Sequence, residues 1–144
     1  MIHRADIQTH IPHAGRMCLL DTILSYDRHT IHGLSSTHRD PSNPLARAGR
    51  LDAVCGIEYA AQAMAFHGSI TGDPSEGPRI GYLASVRDLL LQVARLDDLS
   101  DDLGITATLL ASAHNGASYA FSIVHANRTI ISGRATILFG ASIK

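Results

Sequence analysis

The chain has 144 residues, is 45% hydrophobic and carries a formal net charge of -1. Its length and apolar share suit a single domain, residues 1–144, large enough to bury a core without staples. The balance of 12 basic against 13 acidic residues excludes the basic face of a nucleic-acid binder, and no apolar run is long enough to span a bilayer. The opening MIHRADIQTHIPHAG has no apolar segment of signal-peptide type. Cys18 and Cys55 read as reduced thiols rather than a disulfide, and a cytoplasmic protein is expected.

Residues 17–28 (MCLLDTILSYDR) and 30–38 (TIHGLSSTH) predict two strands with a turn at Asp27–His29. Residues 38–50 (HRDPSNPLARAGR) gather Pro, Gly, Ser, Asp and Asn and predict a loop. Residues 51–68 predict a helix, because Ala53, Val54, Ile57, Ala60, Ala61 and Met64 recur at helical spacing. Asp52 is its expected start and Gly68 its expected stop. Gly56 sits inside that helix at a cost of about 1 kcal/mol against Ala, so close approach of a neighbour to the backbone is expected. A second loop is predicted at 68–79 (GSITGDPSEGPR). Residues 80–93 fit helix or strand by pattern alone; the Gly and Pro before them and the β-rich region after them point to strand. Residues 103–114 alternate, with Leu103, Ile105, Ala107, Leu109 and Ala111 on one face, and Asn115-Gly116 predicts a hairpin turn. Strands over 117–126 and 129–140 follow, with a turn at Asn127-Arg128, so the last three strands predict a meander.

Past Asp52 the predicted helix carries one ionised side chain, Glu58; Gln62 and His67 are its other strongly polar groups. A helix that is apolar nearly all round is buried nearly all round. The expected architecture is therefore α+β, a curved antiparallel β-sheet wrapped around one long central helix.

Three stretches carry a resemblance. IPHAGRMCLLDTIL (11–24) has a Pro-His, Pro12 and His13, followed by an apolar strand holding one Asp, Asp21. GIEYAAQA (56–63) has Glu58 followed by Ala61 and Gln62, and GYLASVRDLLLQVARLDD (81–98) supplies a third match. Together they resemble the bacterial 3-hydroxyacyl-acyl-carrier-protein (ACP) dehydratases of the FabA/FabZ type. The match is closest to the small dehydratase-like proteins of aryl-polyene and related type II polyketide clusters, and it runs over almost the whole chain. The resemblance implies the hotdog fold and elimination of water from a 3-hydroxyacyl thioester. It implies no metal and no cofactor, an ACP or CoA thioester as substrate, and a homodimer or higher dimer-based oligomer, or a heterodimer with a related dehydratase.

The chain departs from the family in one place. Active members carry a Gly-His-Phe-Pro-like loop before the central helix, whereas residues 43–56 here read NPLARAGRLDAVCG, without a histidine and about five residues short. His38 is the nearest histidine upstream and the candidate substitute.

Elimination needs a base for the α-proton, an acid for the leaving hydroxyl and donors for the developing enolate oxygen. Glu58, between Ile57 and Tyr59, is the candidate acid, since an apolar setting favours the neutral carboxyl. The other reading has Glu58 pairing with an arginine from the sheet. Gln62, one turn on and on the same face, is placed to hold Glu58 or a water. The backbone of Ala53, Val54, Cys55 and Gly56 is the expected source of enolate donors. His13 reads either as orienting the entry strand or as touching substrate. Cys55 lacks a base partner and reads as core, His67 as a cap at the helix C-terminus, and the pairs His10/His13 and His29/His32 lack further ligands for a metal. Arg47, Arg50, Arg79 and Arg87 flank the expected mouth, where an acidic carrier protein would dock. Two rivals to the enzyme remain: a non-catalytic subunit pairing with an active dehydratase, and a thioesterase using the helix carboxylate.

Overall fold

The computed structural model describes residues 1–11, 15–72 and 81–140. His13, Arg79 and most of the predicted 68–79 loop lie outside the described residues. The elements run β1 (Ile2–His3), α1 (Arg4–Ile7), β2 (Thr22–Tyr26), β3 (Thr30–Ser35), α2 (Gly56–Thr71), β4 (Gly81–Leu91), β5 (Leu103–Ala113), β6 (Gly116–His125) and β7 (Arg128–Phe139). Short 3-10 turns at Gly15–Met17, Thr37–Arg39 and Ala53–Cys55 link them.

The strands form one antiparallel sheet in the order β1-β2-β3-β5-β6-β7-β4. Strands β5, β6 and β7 are the expected meander, while β4, which follows the helix, lies beyond β7 at the far edge. The sheet closes round α2. Tyr59, Met64 and Phe66 of the helix are at most 1% exposed and share one core with Ile105, Phe121, Ile123, Ile131 and Ile137 of the sheet. Burying each such side chain stabilises by about 1.5–3 kcal/mol.

Several boundaries shift, each for a visible reason. The first predicted strand begins at Thr22 rather than at 17. The backbone of residues 17–19 bonds to side chains instead of a ladder: Leu19 N–H donates to Gln62 Oε1 at 2.8 Å, and Leu19 C=O accepts from Ser35 Oγ at 2.5 Å and Thr37 Oγ1 at 2.7 Å. Asp52 does not cap the helix; it pairs with Arg50 Nε at 2.5 Å, and a 3-10 turn precedes α2. The helix passes through Gly68 and ends at Thr71. Gly68 is there for packing, since a Cβ would stand 2.2 Å from the Phe139 ring. The close approach expected at Gly56 is present: a Cβ there would meet Ile131 Cδ1 at 2.4 Å. In β5 the inward alternation holds through Leu109 and fails at Ala111, which is exposed after a bulge between the two. Both hairpin turns fall one residue early. Gly116 already pairs with Ala113, leaving His114 and Asn115 as the turn, and the next turn is Ala126–Asn127, with φ of 49° and 65°. Left-handed φ at both central residues matches the right-handed twist of the flanking strands.

Candidate functional site

Glu58 lies in the first turn of α2. It is half-buried and makes no hydrogen bond or ion pair with the described residues, so no described sheet arginine is its partner. Its surroundings are more open than the sequence implies. Val54, one turn before it, is 50% exposed, and Ile57 is half-buried, whereas the helix from Tyr59 to Gly68 is buried. Cys55 is also half-buried. Burial, then the negative charge of Asp52 and Glu58, pushes its thiol up, against the pull of Arg47. A thiol held protonated is a poor nucleophile.

Backbone donors at the helix start are mostly occupied. Ala53 N–H donates to Ala94 C=O at 3.1 Å, Cys55 N–H to Asp52 C=O at 3.0 Å, and Gly56 N–H to the carbonyls of Ala53 and Val54. Of the four expected enolate donors, Val54 alone has no such bond. The other three N–H groups are already engaged within this chain, which corrects their expected role as free donors.

Two further expectations change. Gln62 is 2% exposed, and both ends of its amide are engaged: Oε1 accepts from Leu19 N–H at 2.8 Å and Nε2 donates to Met17 C=O at 2.7 Å. It holds the entry segment to the helix and does not hold Glu58. His38 is 1% exposed in the 37–39 turn, and its Nε2 faces Leu99 C=O at 3.0 Å. A carbonyl only accepts, so Nε2 carries a proton. Burial holds this imidazole below the ordinary histidine range. Its Nε2 is engaged by Leu99, and its buried Nδ1 has no hydrogen-bond partner among the described residues.

Sequence reasoning missed the polar network that fixes this end of the molecule. Tyr59 OH, fully buried, bonds Thr37 Oγ1 at 2.8 Å and Asn43 Nδ2 at 2.9 Å. The available signal was the tyrosine itself, since a buried Tyr hydroxyl finds a partner. Asp21, the acid of the opening motif, accepts from Arg4 Nη2 at 2.5 Å, Ser36 N–H at 2.6 Å and Ser36 Oγ at 2.8 Å. Burial alone would raise its pKa, but these donors hold it below the usual carboxylate range. Of the basic residues, Arg47 and Arg50 flank the tight Ala48–Gly49 turn just before the helix, and Arg87 is exposed on β4.

His67 is a core residue and not a C-terminal cap. It is 0% exposed, with Nε2 on Asp27 C=O at 2.8 Å and Nδ1 on Tyr119 OH at 2.7 Å. The carbonyl puts the proton on Nε2, so Tyr119 donates to Nδ1. Burial lowers its pKa. An unfolded His67 therefore takes up a proton at a pH where the folded one does not. Its stabilisation is present above about pH 6.5 and is lost as pH falls through the folded value. Urea unfolding between about pH 7.5 and about pH 5 is expected to show a steep loss of stability for the wild type, and a shallower one for His67→Gln. Equal slopes would show that His67 does not contribute.

The open edge of the sheet adjoins this site. β4 pairs with β7 on one side and with no described strand on the other. Tyr82, Leu90 and Leu91 on it are 55%, 58% and 43% exposed. The bond from Ala53 to Ala94 and the bridge between Asp52 and Arg95 bring the end of β4 to the start of α2, where Glu58 lies. Among the described residues no helix is long and apolar enough to cross a membrane, and no group of three or more His, Cys, Asp or Glu is placed to hold a metal.

Solved structures share this fold. The dehydratase heterocomplex ApeI:P from Xenorhabdus doucetiae matches with a TM-score of 0.82 at 22% identity, over 93% of this chain and 90% of that one. The thioesterase HI1161 from Haemophilus influenzae matches with a TM-score of 0.62 at 13% identity, over 85% and 79% of the two chains. The PaaI protein of the Escherichia coli phenylacetic acid degradation operon gives 0.61 at 15% identity, over 85% and 82%. These likenesses establish the hotdog fold. No curated protein matches the sequence. The model of the ApeP-like family, described as ApeP dehydratase, matches residues 5–141, and with nearly the whole chain inside that match the protein belongs to the ApeP-like dehydratase family.

Proposed function

We propose that this chain is one subunit of a cytoplasmic hydro-lyase that eliminates water from a 3-hydroxyacyl-ACP, with Glu58 as the proton donor. The partner is a related dehydratase chain paired along β4, which supplies the base that this chain lacks. The observation that carries the reading is an unpaired, half-buried carboxyl at the helix start, near an open apolar sheet edge, with the nearest upstream histidine, His38, buried and bonded to Leu99.

In this scheme the partner's base takes the proton from C2, the C3–O bond breaks, and the C2–H electron pair becomes the C2=C3 double bond. Glu58 passes its proton to the departing hydroxyl, which leaves as water. The Val54 N–H is the one of the four expected donors left to receive the developing enolate charge. A long apolar edge strand invites pairing, and pairing there would close the half-open setting of Glu58. The heterocomplex named for the solved relative favours an unlike partner over a second copy of this chain. Arg47 at the mouth suits the acidic surface of a carrier protein.

Mass spectrometry of a 3-hydroxyacyl-ACP tests this. The pure chain is expected to leave the substrate unchanged, and a mixture with a dehydratase partner that carries the loop histidine is expected to give loss of one water. Full turnover by the pure chain would remove the need for a partner. Release of the acyl group without an enoyl product would make the protein a thioesterase.

A further inference from the structure

Ten residues beyond Glu58 along α2, about 15 Å at the helical rise, the fold forms a separate cavity of about 390 Å³. Two turns frame it. The β2–β3 turn brings Arg28 and His29 to its rim, and the β5–β6 turn brings His114. Leu109 N–H donates to His29 C=O at 2.6 Å and ties the first turn to β5. The His67 ring braces the floor by joining Asp27 C=O to Tyr119 OH. Leu109, Tyr119 and Phe139 give apolar wall, and Gly68 leaves the room.

Among the described residues that line this cavity, Arg28 is the charged one and none is an Asp or Glu. Asp27, next to Arg28 in the chain, has its Oδ1 occupied by the N–H groups of His29 and Thr30, both at 2.8 Å. Arg28 is exposed and has no ion-pair partner among the described residues. A guanidinium presents a planar fork that matches a carboxylate, and an imidazole adds an N–H donor in either tautomer.

We propose that this cavity binds a small organic carboxylate, distinct from the thioester at Glu58. Its carboxylate meets Arg28 with His29, and its apolar body rests on Leu109, Tyr119 and Phe139. Benzoate is the probe, with benzyl alcohol as the uncharged match and inorganic phosphate as the anion without a body. Calorimetry and amide NMR on the full chain are expected to show benzoate binding with shifts at Gly68, Ala113 and Gly116. The other two probes bind at least about tenfold more weakly, and Arg28→Gln weakens benzoate by about tenfold with the spectrum otherwise intact. Equal binding of benzyl alcohol or phosphate, an unchanged affinity in Arg28→Gln, no benzoate binding at millimolar concentration, or shifts confined to the Glu58 end would each overturn the proposal. The dehydration assay reads the Glu58 site separately, so one can fail without the other.

Discussion

Replacing Glu58 by Gln is expected to lower kcat for water elimination by the paired chains by about two orders of magnitude or more, with KM little changed. The amide has the shape of the acid but no proton to give to a departing hydroxyl. The substitution removes nothing structural, because Glu58 makes no hydrogen bond or ion pair with the described residues and is half-exposed. A change at such a position shifts stability by about 0.5 kcal/mol or less. Unfolding curves of the two proteins should therefore superimpose while their turnover separates. With the base supplied by the partner, as proposed, a site lacking Glu58 would keep its base and lose its acid. A Gln variant that turns over within about threefold of the wild type would remove Glu58 from the chemistry.

The fold was legible because it is written in long-range patterns. An apolar helix with one acid, set between alternating strands, admits few arrangements, and a sheet that wraps the helix is one of them. The errors fall where tertiary packing overrides local signals. Gly68 has the look of a helix stop, yet it continues the helix to make room for Phe139. Residues 17–21 have the composition of a strand, yet Gln62, Ser35 and Thr37 take the hydrogen bonds that a ladder would use. Asp52 stands where a cap belongs but finds Arg50. The position of Glu58 came from a motif; its openness did not, since periodicity reports which residues face a core within one chain and is blind to a surface that a second chain would cover. The roles of His38 and His67 were hidden for a related reason. A histidine in sequence carries no mark of whether its ring will be free or locked onto a carbonyl such as that of Leu99 or Asp27.

Gln62 is where the motif and the structure pull apart, and its replacement is the second large effect. Gln62→Met keeps most of the side-chain volume and removes both hydrogen bonds. Leu19 N–H is left without its acceptor beside a residue 2% exposed, and Met17 C=O is left without its donor. The buried Leu19 N–H left unsatisfied costs about 1–3 kcal/mol, whereas Met17 is 42% exposed and its carbonyl can turn to water, so a loss of about 1–3 kcal/mol is expected in urea unfolding with an unchanged slope. Amide exchange should rise first at residues 15–19, which Gln62 ties to the helix. Gln62→Glu tests the direction of the bonds: a carboxylate still accepts from Leu19 N–H but sets a negative oxygen against the Met17 carbonyl, so it should be no more stable than the Met variant. If the side chain only positions the entry segment, turnover per folded molecule stays within about tenfold of the wild type, since Glu58 keeps its place. An unfolding midpoint that stays put while turnover disappears would move Gln62 from the scaffold into the reaction, and the motif would then mark two catalytic groups on α2 instead of one.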